Sequence, residues 1–555
     1  MNKDFITVEN LSYFYGGCNN RSLQDINIRI KKEDFILLCG ESGSGKSTLI
    51  KCLCGSIPNF YGGKIRGNIY IEGKNLKNIL PKDLKGKITV VFQHPEKQII
   101  MNKVHREIAF GIENIGLDER IIKRRVMESL QFCNILHLAY KDVDSLSGGE
   151  KQKVSIASAL AYRPECIILD EPTSQLDPLS KEEIVNIIKK INKEFGITII
   201  VVEQRIEKWF ECANKIAFMK KGKLDFNGTS EEFIKHYEKV KYFLPQHINI
   251  LKSLGIYNIY SFKETRQYLQ ENFLKYYEKS EVTKCENNSE IIKCENNKEV
   301  IIDIDDLKYS YKNTSDDFRI KDINLKVHKQ DVLSIIGANG AGKSTFLKFL
   351  AGILKYKGSI KIFNKELRKY KRKELSSIVA YVSQNPQDYI SKDTVYEELK
   401  FTLDNFNIKS YDIIDKILKK LHIYNIKDKN PRDISGGEKQ RVAIASMLVL
   451  NPKILLLDEP TRGLHVEAKN QLLNLLREIN QEGTTIILVT HDMNFVANIS
   501  NKVMVMFNGE VTALDSKDKV LKEGIFYTTS INKLFRNIDE NIFTLEDLKA
   551  SYRKF

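Results

Sequence analysis

The sequence predicts an α/β protein built twice over: two domains in tandem, each folded around a mostly parallel sheet. Three observations predict it. Two glycine-rich loops, GESGSGKST at Gly40 to Thr48 and GANGAGKST at Gly337 to Thr345, each match G-x-x-x-x-G-K-[ST]. Landmarks around the loops recur in the same order in both halves. Short apolar runs alternate with helical patterns in each half.

The loops are phosphate cradles. Gly43 and Gly45, like Gly340 and Gly342, let the backbone approach a phosphate with no Cβ in the way. Amides along each loop then point inward, through Gly40, Ser42 and Ser44 in the first copy and Gly337, Asn339 and Ala341 in the second. Lys46 and Lys343 can reach the outer phosphates, and Ser47 and Ser344 can ligate Mg²⁺. The apolar runs Phe35 to Cys39 and Val332 to Ile336 read as buried strands entering the loops. The segments from Thr48 and Thr345 onward read as helices leaving them, with N-termini aimed at the anion.

At 555 residues the chain exceeds one ordinary domain, and 42% hydrophobic residues suffice for large cores. The net charge of +15 fits nucleic acid, an anionic membrane surface or simply a Lys-, Ile- and Asn-rich composition; the lysines are scattered, which favours composition. No apolar run approaches the ~18 residues that span a bilayer, and MNKDFITVEN lacks a signal-peptide core. A cytoplasmic protein is expected. Nine cysteines without C-x-x-C and nine dispersed histidines predict neither a disulfide framework nor a metal cluster.

Lys46 and Lys343 lie 297 residues apart, Gln93 and Gln384 291, and Ser147 and Ser435, like Glu171 and Glu459, 288. Near-constant spacing means two copies of one domain, the first with a few extra residues around Pro58 to Arg66. The expected organisation is domain 1 over 1–241, a linker over 242–298 and domain 2 with a C-terminal extension over 299–555. Within the linker, Pro245 to Tyr277 has room for short helices. Glu281 to Lys298, with KCENN twice, reads as a flexible tether.

Other features repeat. Tyr15 and Tyr311 precede the loops on the opening strands, where a ring can stack on a nucleobase or half-bury in the sheet. LSGGEKQK (Leu146 to Lys153) and ISGGEKQR (Ile434 to Arg441) place Ser147-Gly148-Gly149 and Ser435-Gly436-Gly437 before Ala-rich helices, a second anion-binding helix start. Asp170-Glu171 and Asp458-Glu459 end the apolar strands Cys166 to Leu169 and Ile454 to Leu457. The Asp can hold Mg²⁺ and the Glu can orient an attacking water.

Together these residues resemble the ATP-binding cassette (ABC) ATPases, twice in one chain, over about Phe5 to Thr229 and Val300 to Leu514. The resemblance implies ATP and Mg²⁺ as cofactors. It also implies an antiparallel strand region and a helical subdomain beside each sheet core. Gln93 and Gln384 are implied at the metal and phosphate. The two domains are implied to pair head to tail, each ATP meeting one P-loop and the other copy's signature serine. FQHPEKQIIMNKVHREIAFGIENIG, Phe92 to Gly116, resembles the ATPases of energy-coupling-factor (ECF) importers, above all in Phe110-Gly111-x-Glu113-Asn114. That implies an ATPase at the cytoplasmic face of the membrane, a T-component and a substrate-binding S-component as partners, no nucleic acid, and uptake of a vitamin, vitamin precursor or metal ion.

Two positions depart from the pattern. His491 fills the place of the γ-phosphate histidine in copy two, but copy one has Gln204. The loop after the carboxylate ends at Asp177 in copy one and at His465 in copy two. The implied pairing puts both departures in one site, Lys46, Glu171 and Gln204 with Ser435 and His465, and that site is expected to hydrolyse more slowly. Gln donates a hydrogen bond to phosphate but carries no charge. Two alternatives stay open: a tandem sugar or nucleoside importer ATPase, which TRGLHVEAK resembles, and a soluble ribosome factor, against which DEPTSQLD and DEPTRGLH stand.

Overall fold

A computed structural model describes residues 4–16, 21–41, 43–80, 83–84, 86–174, 176–204, 206–235, 243–256, 259, 261–276, 299–310, 319–464 and 466–552. The tether Glu281 to Lys298 lies outside them. The chain divides into two units, Met1–Thr265 and Arg266–Phe555, so the boundary falls inside the segment read as linker.

Unit 1 holds two sheets. β1 (Asp4–Phe14), β2 (Leu23–Lys31), β4 (Lys64–Ile71) and β5 (Lys74–Asn75) form an antiparallel sheet in the order β2-β1-β4-β5. β3 (Phe35–Gly40), β6 (Ile88–Val91), β7 (Cys166–Asp170), β8 (Thr198–Val202), β9 (Lys215–Lys220) and β10 (Lys223–Gly228) form the other, in the order β10-β9-β3-β8-β7-β6. That sheet is parallel except at the β9–β10 hairpin. Its central strands are covered on both faces, which is why they are apolar without alternation. Phe35, Leu37 and Cys39 enter one core and Ile36 and Leu38 the other.

Five helices position the candidate site: α1 (Lys46–Leu53), α2 (Val104–Glu113), α3 (Glu119–Phe132), α4 (Gly148–Ala161) and α5 (Pro178–Phe195). The extra residues of copy one form a short helical turn, Ser56–Asn59, with Phe60 and Tyr61 exposed beyond it. The linker carries α6 (Gln246–Ser253) and α7 (Phe262–Tyr276).

Unit 2 repeats the plan. β11 (Val300–Ser310), β12 (Arg319–His328), β14 (Lys357–Ile362) and β15 (Lys365–Glu366) run in the order β12-β11-β14-β15. β13 (Val332–Gly337), β16 (Val379–Val382), β17 (Ile454–Asp458), β18 (Thr485–Val489), β19 (Lys502–Phe507) and β20 (Glu510–Ser516) run in the order β16-β17-β18-β13-β19-β20. Its main helices are α8 (Lys343–Leu350), α9 (Val395–Asn405), α10 (Asp412–Lys420), α11 (Gly436–Leu448) and α12 (Val466–Gln481). The tail adds α13 (Ser530–Phe535) and α14 (Leu545–Ser551). Phe273 of α7 packs edge-on against Phe535 and Tyr552, with ring centroids 5.1 and 5.0 Å away. The tail and the later turns of the linker helix therefore share one aromatic cluster within unit 2. No described helix is long and apolar enough to cross a membrane.

The Phe110-Gly111 stretch has a packing reason. α2 lies on α4, and a Cβ at Gly111 would stand 2.0 Å from the Tyr162 hydroxyl and 2.5 Å from its ring. Asn114 Nδ2 donates to Phe110 O at 2.8 Å and closes the end of α2. Gly111→Ala is expected to destabilise unit 1 by about 1–3 kcal/mol through overpacking. Gly86→Ala, where a Cβ meets nothing within 4 Å, is expected to stay within about 0.5 kcal/mol. Urea midpoints of the two variants check this.

Candidate functional site

Each P-loop joins a buried strand to a helix. Gly40 ends β3 at φ +142°, and a Cβ there would lie 2.1 Å from Met219 O. Gly337 repeats this at +144° against Met506 O, also 2.1 Å away. Only glycine fits such a junction. Gly45 and Gly342, both at φ 99°, cap α1 and α8. Lys46 Nζ donates to Gly40 O at 2.9 Å and Glu41 O at 2.7 Å. Lys343 Nζ donates to Gly337 O at 2.9 Å and Ala338 O at 2.7 Å. Both lysines thus lie across their own loops, where phosphate oxygens would compete for the same donors. Ser42 lies outside the described residues, as does Tyr311. Tyr15 sits just past the end of β1, not within it; its hydroxyl is 3.2 Å from Thr48 Oγ1 and its ring stands edge-on to Tyr13.

The metal candidates fit Mg²⁺. Ser344 Oγ donates to Asp458 Oδ1 at 3.0 Å, and Tyr381 Oη to Oδ2 at 3.3 Å. Ser47 makes the matching bond to Asp170. Burial raises the pKa of both aspartates, and the serine bonds oppose it. A hydroxyl and a carboxylate are hard oxygen donors, as is the amide oxygen of Gln93 or Gln384, and such donors suit Mg²⁺.

Glu171 and Glu459 follow directly, at φ 48° and 49°. Left-handed backbone costs a residue with a Cβ roughly 1–2 kcal/mol, and here it turns the carboxylates off the strand ends. Their amides are held by Val202 O and Val489 O, at 2.8 and 2.9 Å. Gln93 Nε2 donates to Glu171 Oε2 at 2.7 Å and Gln384 Nε2 to Glu459 Oε2 at 3.1 Å. Both glutamines thus touch the general-base candidates, leaving their carbonyl oxygens for other partners.

The copies differ at the second carboxylate oxygen. Gln204 Nε2 donates to Glu171 Oε1 at 2.6 Å. His491 Nε2 lies 3.1 Å from Glu459 Oε1, but off the line of a hydrogen bond. Burial pushes both carboxylates up. At Glu171 the neighbouring Glu203 adds to it, and the pKa is raised to about 7. At Glu459 the closeness and charge of His491 overcome burial, and the pKa is lowered to about 2.

Glu203 was not legible as a site residue. It is buried and accepts from Thr173 N at 3.0 Å and Thr173 Oγ1 at 2.5 Å. Unit 2 holds the matching threonine with a neutral hydroxyl: Thr461 Oγ1 is 2.9 Å from Thr490 Oγ1. The signal lay beside the Gln204 and His491 difference, one residue earlier in each copy. Glu107 and Glu398 were missed as well. Glu107 Oε2 accepts from Ile100 N and Met101 N at 2.9 and 2.8 Å. Glu398 Oε2 accepts from Ser391 N and Lys392 N at 2.7 and 2.8 Å. These buried carboxylates anchor the loop that follows each Gln, and they keep the same 291-residue spacing.

The signature serines are engaged at home. Ser147 caps α4 in a capping box: Glu150 Oε2 accepts from Ser147 N at 2.8 Å and from its hydroxyl at 2.7 Å. Ser435 and Glu438 repeat this at 2.9 and 2.6 Å. Gly149 and Gly437 occupy the second helical position of each. Asp177 caps α5, accepting from Leu179 N, Ser180 N and Ser180 Oγ at 3.1, 3.0 and 2.9 Å. Its counterpart His465 lies outside the described residues.

The ABC transporter family model matches residues 23–174 and 320–462. A protein of Bacillus thuringiensis subsp. konkukian that bears the name of an ABC transporter ATP-binding protein is 34% identical over 547 residues, 98% of this chain and 97% of that one. Another of that name, from Clostridium tetani, is 39% identical over 437 residues, 78% of this chain and 96% of that one. The archaeal ribosome recycling factor aABCE1, solved with the stalk protein aP1, is 24% identical with a TM-score of 0.58, over 92% of this chain and 91% of that one. At that identity the likeness is one of fold.

The two carboxylate environments predict opposite pH responses. In Glu459→Gln the remaining ATPase rate is expected to rise with pH through about 7, as Glu171 loses its proton. In Glu171→Gln the remaining rate should lack that step, because Glu459 is ionised far below it. Adding Glu203→Thr to Glu459→Gln should move the step to lower pH. Initial rates across a pH series check all three.

Proposed function

The chain belongs to the ABC transporter family of ATP-binding proteins, and on that premise we propose that it is the ATP-hydrolysing motor of an energy-coupling-factor importer. In this reading a separate T-component and a substrate-binding S-component carry a vitamin, a vitamin precursor or a metal ion across the membrane. The chain works peripherally at the cytoplasmic face. Lys46 and Lys343 hold the outer phosphates, and Glu171 and Glu459 orient the attacking water. Mg²⁺, when bound by Ser47 and Asp170 or by Ser344 and Asp458, supplies charge stabilisation at the phosphates. The copy-one site is the slower, since Gln204 stands where His491 stands in copy two and Glu203 keeps Glu171 reluctant to ionise.

The observation that carries the reading is the Phe92 to Gly116 segment. Its resemblance to ECF ATPases lies beside an exposed apolar surface: Phe92 is 41% and Ile100 70% exposed. Gln93, between that surface and Glu171, bonds the carboxylate directly. A partner pressing on the loop would therefore bear on the carboxylate through one side chain.

A mild-detergent pull-down of the tagged chain from its native membranes tests the assignment. Two small multi-span proteins are expected. A permease pair with a separate binding protein would replace the reading with a sugar or nucleoside importer, and ribosomes without membrane chains would end the transport reading. In the reconstituted complex, Gln93→Ala is expected to lower substrate uptake about tenfold or more while ATP turnover falls less, an uncoupling read from the ratio of the two rates.

A further inference from the structure

Unit 1 has a surface cavity of 810 Å³ at the far end of β7 from Asp170. The proposed transport role uses none of it. Arg125 and Phe132 come from α3, Leu160 from the end of α4, Arg163 from the turn after it, and Lys190 and Phe195 from α5.

The lining has an apolar floor, and its charged residues are Arg125, Arg163 and Lys190 with one carboxylate, Glu128. The Phe132 and Phe195 rings lie 4.9 Å apart at 44° and form a floor, and Lys190 Nζ stands 4.9 Å from the Phe132 ring. Arg125 Nη1 has one long bond, 3.3 Å to Ala161 O, and its buried Nε has no partner. Arg163 Nη2 is 3.9 Å from Glu128 Oε2, while Arg124 takes Glu128 Oε1 at 2.7 Å. Lys190 reaches Glu194 only at 3.8 Å. Four cations thus share two carboxylates. Burial lowers the pKa of Arg125, and Arg163 lowers it further by repulsion; an anion would relieve both.

The second copy shows what this place looks like without such a lining. In register, Arg125 becomes Ile413, Arg163 becomes Asn451, and Phe132 and Phe195 become Lys420 and Glu482. Lys420 and Glu482 close the gap with an ion pair at 2.6 Å. Arg163 and Asn451 share a left-handed backbone, φ 55° and 48°, which supports the register at that turn; the Phe132–Phe195 ring pair and the Lys420–Glu482 ion pair occupy the same place in the two copies. Asn tolerates that conformation better than Arg, so copy one keeps its guanidinium against a local preference.

We propose that this cavity binds a small organic anion, a carboxylate or phosphate on a flat apolar body. The body lies on the Phe132 and Phe195 rings, and the anionic group takes hydrogen bonds from Arg125 and Arg163. The volume is in the range of small-molecule sites, about 300–1,000 Å³.

The test uses the full chain with saturating ADP, which occupies the nucleotide sites. The probes are 2-naphthoate and the uncharged 2-naphthamide, titrated by ligand-detected NMR. The carboxylate is expected to bind about tenfold or more tightly than the amide, as charge-assisted bonds require. Arg163→Asn, and the pair Phe132→Lys with Phe195→Glu, should each weaken it about tenfold or more while circular dichroism is unchanged. These changes copy the second domain, so they are compatible with the fold; Arg125→Gln supplies a further check. Absence of binding, equal affinity for the two probes, or wild-type affinity in the variants would overturn the proposal.

Discussion

Everything at the candidate site depends on a carboxylate held at a strand end in left-handed backbone. The constraint is local: φ near +48° at Glu171 and Glu459, each with its amide pinned to the neighbouring strand. It is also a cost, since Cβ crowds the carbonyl in that conformation. The parallel strands on either side, buried on both faces, hold it in place. From that position each carboxylate takes a glutamine from one side and the end of the next strand's loop from the other. The phosphate loop and the metal candidates are then fixed by the same sheet.

Duplication allows one scaffold to run two electrostatic settings. The backbone around the two glutamates is the same, yet two adjacent substitutions reverse the setting. Glu203 in place of Thr490 adds a carboxylate behind the site, and Gln204 in place of His491 replaces an imidazole in front of it with an amide. Thr173 and Thr461 are held either way, by a carboxylate or by a hydroxyl. Structure is therefore nearly indifferent to an exchange to which ionisation is sensitive. The scale explains why: a neutral hydrogen bond contributes about 1 kcal/mol net, whereas a like charge nearby in a poorly solvated site moves a pKa by whole units.

Much of this was legible in the sequence. The strands entering the loops are apolar runs bounded by glycine, and the copies announced themselves by near-constant spacing. The carboxylate pairs stand at the strand ends, and both glutamines bond the second carboxylate of each pair. The rest was hidden for physical reasons. Glu107 and Glu398 act through backbone amides six and seven residues away, which no side-chain pattern records. Phe110-Gly111, which carries the ECF resemblance, also has a packing role, since Gly111 leaves room for Tyr162. The extra aromatic residues Phe60 and Tyr61 and the charged lining near Arg125 belong to surfaces, where periodicity carries no signal. Ser147-x-x-Glu150 is different: its capping-box spacing is in plain view in the sequence, on the same residues that suggest an anion site.

That capping box has a kinetic meaning. A helix start that already holds a carboxylate is a loaded exchanger, not an open receptor. A phosphate that met either helix start would have to share or displace the bonds that Ser147 and Ser435 make to Glu150 and Glu438. The internal group stands ready to retake them, tethered three residues away at high effective concentration. Such a competitor weakens the net grip, because any bond it retakes is one the phosphate loses. A cycling motor can use a weak grip, since it must let go to act again.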